Sequence, residues 1–306
     1  MIPAALLIDA ALGEPPARLH PTVWMGNAAA AFDRLGSRAR SRGARRLVGL
    51  AAACAVPAAS YALTAASLRL PPISLRPAVE AAIISVTLSM RGLAAGALAV
   101  ESALQCGDLE EARARAAEIV GRDTASLDEA ELARAAVESV AENASDGVAA
   151  PIFYAALAGA PGAFAYRAVN TLDSMLGYRK GVYEDLGLAS ARLDDLANLI
   201  PARITALAVA AVCGRPLRTL RAVRRYGALH ASPNAGRAEA AFAGALGVTL
   251  GGDSYYGGEL RPAKTIGDGP KPAADDISRA VALMRRTCMV LALALSLTRA
   301  RRKPCD

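Results

Sequence analysis

The sequence predicts an all-α, multi-pass integral membrane protein with a cytoplasmic amphipathic helical insert and a re-entrant broken helix. Hydrophobic residues make up 54% of the 306, yet charged residues still reach 21%. That pairing suits a membrane-embedded chain with substantial water-facing segments. Two stretches without a charge, 47–68 and 147–166, reach the ~20 residues that a helix needs to cross hydrocarbon. The apolar content is mostly Ala, Leu and Val, with 4% aromatic residues, so strands are not expected. A soluble alanine-rich helical protein is the competing reading.

Along the chain, the first sixteen residues lack a basic segment, and Asp9 interrupts their apolar run, so no cleaved signal peptide is expected. Arginine clusters at 34–46, 215–225 and 299–303 account for much of the net charge of +7, and lie beside apolar segments as cytoplasmic loops do. They lack aromatic interleaving and any nucleic-acid module, so no nucleic-acid partner is expected. The Pro-containing turn 69–77 joins the helix over 47–68 to a returning one over 78–104, interrupted by Glu80, Arg91 and Glu101. Segments 196–214, with Arg203, and 281–298, with Arg285 and Arg286, complete four to six membrane-associated helices.

Between 107 and 137 the pattern becomes charged and amphipathic, predicting two water-exposed helices. Asp108 starts the first and Gly121 stops it, while Ser126 and Glu129 form a capping box for the second. The Gly/Pro-rich segment 251–274 is expected to be one long irregular loop. One membrane-embedded domain over 1–306 is expected, with 107–146 as its cytoplasmic helical part. Five cysteines without ligand spacing suggest neither a disulfide framework nor a zinc site.

Four polar strings stand out against this apolar background. In ESVAENASDGVAAP, 138–151, the carboxylates Glu138, Glu142 and Asp146 recur at i, i+4 and i+8, one face of a continuing helix, beside Asn143. Such a row repels itself without a cation or arginine partners. Magnesium suits it, since that ion takes oxygen ligands and bridges carboxylates to phosphates. The alternative is an exposed acidic stripe. In 166–178, Arg167, Asn170 and Asp173 follow at spacings of three, offering a cation, an amide and a carboxylate, or a plain Arg167–Asp173 salt bridge.

In 190–203, Asp194 and Asn198 stand one turn apart, with Arg192 and Arg203 supplying charge for phosphates. His230 and Asn234 lie in a turn-forming stretch, where Asn234 either bonds a ligand or caps its own loop. A break at 159–162 would return the first three strings to one side of the membrane, with 138–151 facing Asp173 and Asp194. No GxxxxGK[ST], GxGxxG or GxSxG motif occurs.

The segments 9–16 (DAALGEPP), 18–21 (RLHP) with 24–26 (WMG), 138–151, 166–178, 191–203, and 232–236 (SPNAG) with 239–247 (EAAFAGALG) together resemble the CobD/CbiB family of cobalamin-biosynthesis membrane proteins, the adenosylcobinamide-phosphate synthases. Glu14 stands where the family pattern usually has Asp, and Arg237 where an aromatic is common.

The resemblance implies an ATP-dependent ligase joining a propionate of a corrinoid, adenosylcobyric acid, to (R)-1-amino-2-propanol phosphate. It implies a cell (inner) membrane location with a cytoplasmic active site and association with other late cobalamin-pathway membrane enzymes, besides contact with membrane lipid. Glu138, Glu142, Asp146 and Asp173 would then hold Mg2+, and Arg167, Arg192 and Arg203 would bind phosphates. Asn143, Asn170, Asn198, His230 and Asn234 would contact substrate, with Glu142, Asp146 and Asp194 catalytic and Asp194 taking the amine proton. A magnesium-dependent membrane prenyl- or phospho-transferase and a non-enzymatic membrane sensor are the rival functions.

Overall fold

In the computed structural model, residues 1–16, 18, 20–178 and 181–302 are described, with side chains to 297. Leu19 of the second matching segment, Lys303 of the third arginine cluster and Cys305 fall outside these residues. The helices are α1 Ile2–Leu12, α2 Pro21–Arg38, α3 Arg42–Ser67, α4 Arg76–Ser85, α5 Met90–Gln105, α6 Leu109–Ile119 and α7 Glu129–Asn143. A π-helical segment, Ala144–Ala149, precedes α8 Ala150–Leu176. Then come α9 Tyr183–Leu186, α10 Leu188–Ala197, α11 Leu199–Val212, α12 Pro216–Tyr226 and α13 Ala235–Leu246, with α14 Asp275–Arg302 closing the chain.

The segments Arg42–Ser67, Ile73–Gln105, Glu129–Leu176 and Asp275–Leu297 are long and apolar enough to cross a membrane, and α10 with α11 makes a fifth candidate. The protein is thus the multi-pass helical membrane protein expected from its composition. On α3, Leu47, Leu50 and Leu63 are exposed. Such large side chains on a spanning helix suit lipid rather than water.

Two compact units divide the chain. Unit 1 comprises residues 1–88, 150–199 and 292–306; unit 2 comprises 89–149 and 200–291. In unit 1, α2, α3 and α8 pack around Met25, Ala29, Val56, Leu172 and Leu176, closed by Leu186 of α9. Gly49 is required there, because a Cβ would lie 2.0 Å from the Leu186 carbonyl oxygen. Two arginines of α3, Arg42 and Arg46, each donate to buried Asp185 at 2.8 Å. In unit 2, α5 packs on α6 and α7, and α13 packs on α7 and α12.

The break expected at 159–162 is present. Within α8, Ala158 and Gly159 are non-helical, and Gly159 adopts φ 71, ψ −163, a conformation essentially restricted to glycine. The new half-helix begins with a free amide end at Ala160, whose N–H donates to Glu80 Oε1 at 3.2 Å. Glu80 thus interrupts the apolar stretch 78–104 because it caps a helix start elsewhere in unit 1.

Three local expectations are corrected. Asp128, not Ser126, is the N-cap of α7, its Oδ1 accepting from Glu131 N at 2.8 Å; an aspartate one residue before the helix outcompetes a serine three before it. Nor is α7 water-exposed, since every residue over 132–141 is buried. Its alanine-rich faces let neighbours approach all round, which a charge-counting view of 107–137 underrates.

The segment 251–274 is not wholly irregular. β1 Leu250–Gly251 pairs antiparallel with β4 Thr265–Ile266, and β2 Ser254–Tyr256 pairs with β3 Glu259–Arg261. The inner hairpin turns on Gly257 and Gly258, at φ 59 and 78. Two successive positive φ values fit the two-residue turn that matches strand twist.

Candidate functional site

The first polar string leads to a cavity of about 480 Å³ within unit 2. Glu138, Glu142 and Asn143 of α7 line it, with His230 and Glu239 beside them. Asp146 does not. The π-helical segment closes i→i+5 rather than i→i+4 hydrogen bonds, so the one-face register assumed for Glu138, Glu142 and Asp146 ends after Asn143.

Glu138 is almost fully buried and completely engaged. Arg122 Nη2 donates to its Oε2, Arg134 Nη1 donates to its Oε1 at 3.1 Å, and Gly251 N donates to the same Oε1 at 2.6 Å. Arg134 in turn pairs with Glu131 and donates to the Gly251 carbonyl at 2.8 Å. The repulsion expected within the carboxylate row is therefore offset at Glu138 by two guanidiniums. Glu142, one turn further along, opens onto the cavity.

Opposite chemistry comes from the hairpin segment. Tyr256, Arg261 and Lys264 line the same cavity, with the Arg261 guanidinium 4.7 Å from the Tyr256 ring centroid. Asp123 fixes the hairpin: its Oδ1 and Oδ2 accept from Gly257 N at 3.0 Å and Gly258 N at 2.7 Å, and its own N–H donates to the Tyr255 carbonyl at 2.9 Å. The two backbone donors hold the Asp123 carboxyl below the usual carboxylate range.

His230 Nδ1 accepts from Ser232 N at 3.0 Å, which places the proton of the neutral ring on Nε2, 3.8 Å from Glu239 Oε1. Burial, and then the charges of Glu138 and Glu142, push the Glu239 carboxyl well above its ordinary value. Asn234 is buried at the start of α13, but the side chain accepting there is Ser232 Oγ, from Asn234 N and Ala235 N at 3.3 Å each. Arg203 is exposed on α11.

The second string and residues 190–199 of the third lie in unit 1 and partly converge, whereas Arg203 of the third falls in unit 2. Asp194 Oδ2 accepts from Asn198 Nδ2 at 3.0 Å, while Asn170 Nδ2 lies 3.5 Å from Asp194 Oδ1. Tyr166 donates to Asn198 Oδ1 at 2.8 Å and stacks on Tyr154, whose hydroxyl donates to the Ala197 carbonyl at 2.9 Å. Arg167 and Asp173 are half-buried on α8, and Arg192 is exposed on α10. Toward the N-terminus, Glu14 Oε2 lies 3.6 Å from His20 Nε2, and burial lowers the His20 pKa.

Among the described residues, no three His, Cys, Asp or Glu side chains are gathered as a ready metal cluster. Sequence reasoning missed Arg122, Arg134, Glu239, Arg261 and Lys264 as cavity residues. Arg134 could have been found from its i, i+4 spacing to Glu138. Glu239 was also accessible, as the carboxylate of the alanine-rich helix AGRAEAAFAGAL.

Taken together, the fold and the cavity define a multi-pass helical membrane protein that carries a mixed-charge pocket. The sequence pattern of the family described as CobD/Cbib protein matches residues 2–284. Relatives named "Cobalamin biosynthesis protein CobD" include one from Chromobacterium violaceum, 45% identical over 98% of this chain and 96% of its own. Others come from Stutzerimonas stutzeri, 45% identical over 92% and 91%, and Mycobacterium tuberculosis, 43% identical over 91% and 88%. No solved structure matches. The chain belongs to the CobD/CbiB family of cobalamin biosynthesis.

Proposed function

We propose that this protein is an adenosylcobinamide-phosphate synthase, joining adenosylcobyric acid to (R)-1-amino-2-propanol phosphate at the expense of ATP. The observation that carries the reading is the unit 2 cavity, where Glu142, Glu239 and His230 share a pocket with Arg122, Arg134, Arg261 and Lys264, in a chain of the CobD/CbiB family. Anionic substrates need cations around them, and an amine nucleophile needs a base.

A carboxylate is a poor acyl donor. Attack of the corrinoid propionate oxygen on the γ-phosphorus of ATP would give an acyl phosphate and ADP. The amine would then attack the acyl carbon, expel inorganic phosphate and lose a proton to a carboxylate. Arg261 and Lys264 are assigned to phosphate oxygens, and Arg122 to holding Glu138 and, through it, the wall of the cavity. Glu142 or Asp194 is the proposed acceptor of the amine proton. The Asn170–Asp194–Asn198 network, with Arg167 and Arg192 on the same helices, is a second proposed substrate-contacting region.

The donor set fits Mg2+. That ion takes one or two carboxylates and completes its shell with water and substrate phosphate, so Glu142 with Glu239 and the amide of Asn143 would suffice, without the wider set of Glu138, Asp146 and Asp173. When bound, the ion would offset the charge of ATP. An inner-membrane location with a cytoplasm-facing pocket, where ATP is found, belongs to the same proposal, as does association with other late-pathway membrane enzymes.

Full-length protein in detergent should release ADP and phosphate only when ATP, adenosylcobyric acid and the aminopropanol phosphate are all supplied. E142Q should lower the rate by about 10²–10⁴-fold, the usual scale of a lost acid–base group, and D194N compared with it assigns the base. Asp146→Asn tests whether that carboxylate contributes at all. Phosphate release without the amine, or none with all three substrates, would refute the ligase and favour a transferase or a sensor.

A further inference from the structure

The α12 helix reads PLRTLRAVRRY, and its arginines take no part in the cavity described above. Thr219, Ala222 and Tyr226, at i, i+3 and i+7, form its buried face. The opposite face presents Arg221 and Arg224, flanked by Arg218 and Arg225. Those four guanidinium-bearing residues, with Ala222, Gly244 and Asp268 among the other walls, line a separate cavity of about 540 Å³.

Among the described residues, Arg225 alone of the four has an acidic partner, Asp268 Oδ1 at 3.4 Å, which also accepts from the Tyr226 hydroxyl. Arg218, Arg221 and Arg224 have none within ion-pair distance among the described residues. Apolar side chains set among arginines are what a helix lying at a membrane surface presents. Leu217 is 68% exposed and Leu220 40% exposed, both on the arginine face. Only Cys213, Gly214 and Arg215 separate α12 from α11, part of a candidate membrane span ending at Val212.

We infer that α12 lies in the membrane–water interface and that its arginine-lined cavity binds the phosphate headgroup of an anionic phospholipid, with Leu217 and Leu220 among the acyl chains. Charge complementarity selects the headgroup, because basic side chains at the membrane surface attract anionic lipid phosphates. The exposed leucines select a lipid over a soluble phosphate, since a soluble ligand gives them nothing to bury against.

The test uses full-length protein in nanodiscs of phosphatidylcholine with graded phosphatidylglycerol, followed by release into the gas phase and mass measurement of retained lipids. Wild type should retain phosphatidylglycerol in preference to phosphatidylcholine. R221Q/R224Q should lose that preference by on the order of tenfold, given the attraction of each basic residue to an anionic leaflet, while its helix content by circular dichroism stays unchanged. R221K/R224K should keep the preference. Equal retention of the two lipids by wild type, an unaltered preference in R221Q/R224Q, or loss of preference in R221K/R224K would overturn the inference. Complete displacement of phosphatidylglycerol by millimolar inorganic phosphate would also overturn it, by assigning the site to a soluble anion.

Discussion

The substitution Glu138→Gln removes a buried charge while keeping shape, and replaces one acceptor oxygen by an NH2 donor. The Glu138 side chain is 5% exposed, and its partners Arg134 and Arg122 are 4% and 12% exposed. The amide oxygen can still accept from Gly251 N, but its NH2 then faces the Arg122 donor, and two guanidiniums keep their desolvation cost without their shared counter-charge. Breaking a buried pair in this way costs roughly 3–5 kcal/mol. Arg134 retains Glu131, which argues for the low end, about 3 kcal/mol.

For a unit of this size, 1 kcal/mol moves the thermal midpoint by roughly 2–4 °C, so a fall of about 6–12 °C is expected. Circular dichroism of the full chain in detergent is the assay, because Trp24 lies in unit 1 and would not report on α7. Glu118→Gln removes an exposed i, i+3 pair with Arg115 and should change stability by less than ~1 kcal/mol. R122Q/E138Q should lose less than the sum of its single variants. A midpoint for E138Q no further from wild type than that of E118Q would refute the buried-pair account of the cavity wall.

The remaining predictions concern the hinge, the hairpin and pH. Gly159→Ala forces a Cβ into φ 71, ψ −163 and should destabilise by about 1–3 kcal/mol, read as a lowered midpoint; an unchanged midpoint would mean that the break can relax. Asp123→Ala removes the acceptor for Gly257 and Gly258 N–H, so amide exchange over 254–261 should quicken while α7 stays protected. Glu239 has its folded-state pKa raised, so its contribution to stability is present below the unfolded value of ~4.3 and lost as pH rises through the folded value. Glu239→Gln should therefore gain stability relative to wild type as pH climbs from 4 to 8. Parallel midpoint-versus-pH curves would sink that reading.

Sequence alone determined what local chemistry and period determine. Long charge-free runs required helices of membrane length, Asp108 started α6, and Gly159 to Gly162 offered a break, whose glycine-only backbone the structure displays. The family, too, was legible, because its polar strings stand against an apolar background in fixed order.

Tertiary structure decided which charges meet. Glu138 reads as one of three equivalent carboxylates until Arg122, sixteen residues away, and Gly251, more than a hundred away, close on it. Glu80 looks like a flaw in an apolar helix until α8 breaks and offers Ala160 N. The π-helical turn that removes Asp146 from the face of Glu142 has no signature in the residue pattern. The physical reason is shared by all of these: helical spacing places groups on one element's face, whereas the environment of a buried charge is set by distant chain segments that only packing brings near.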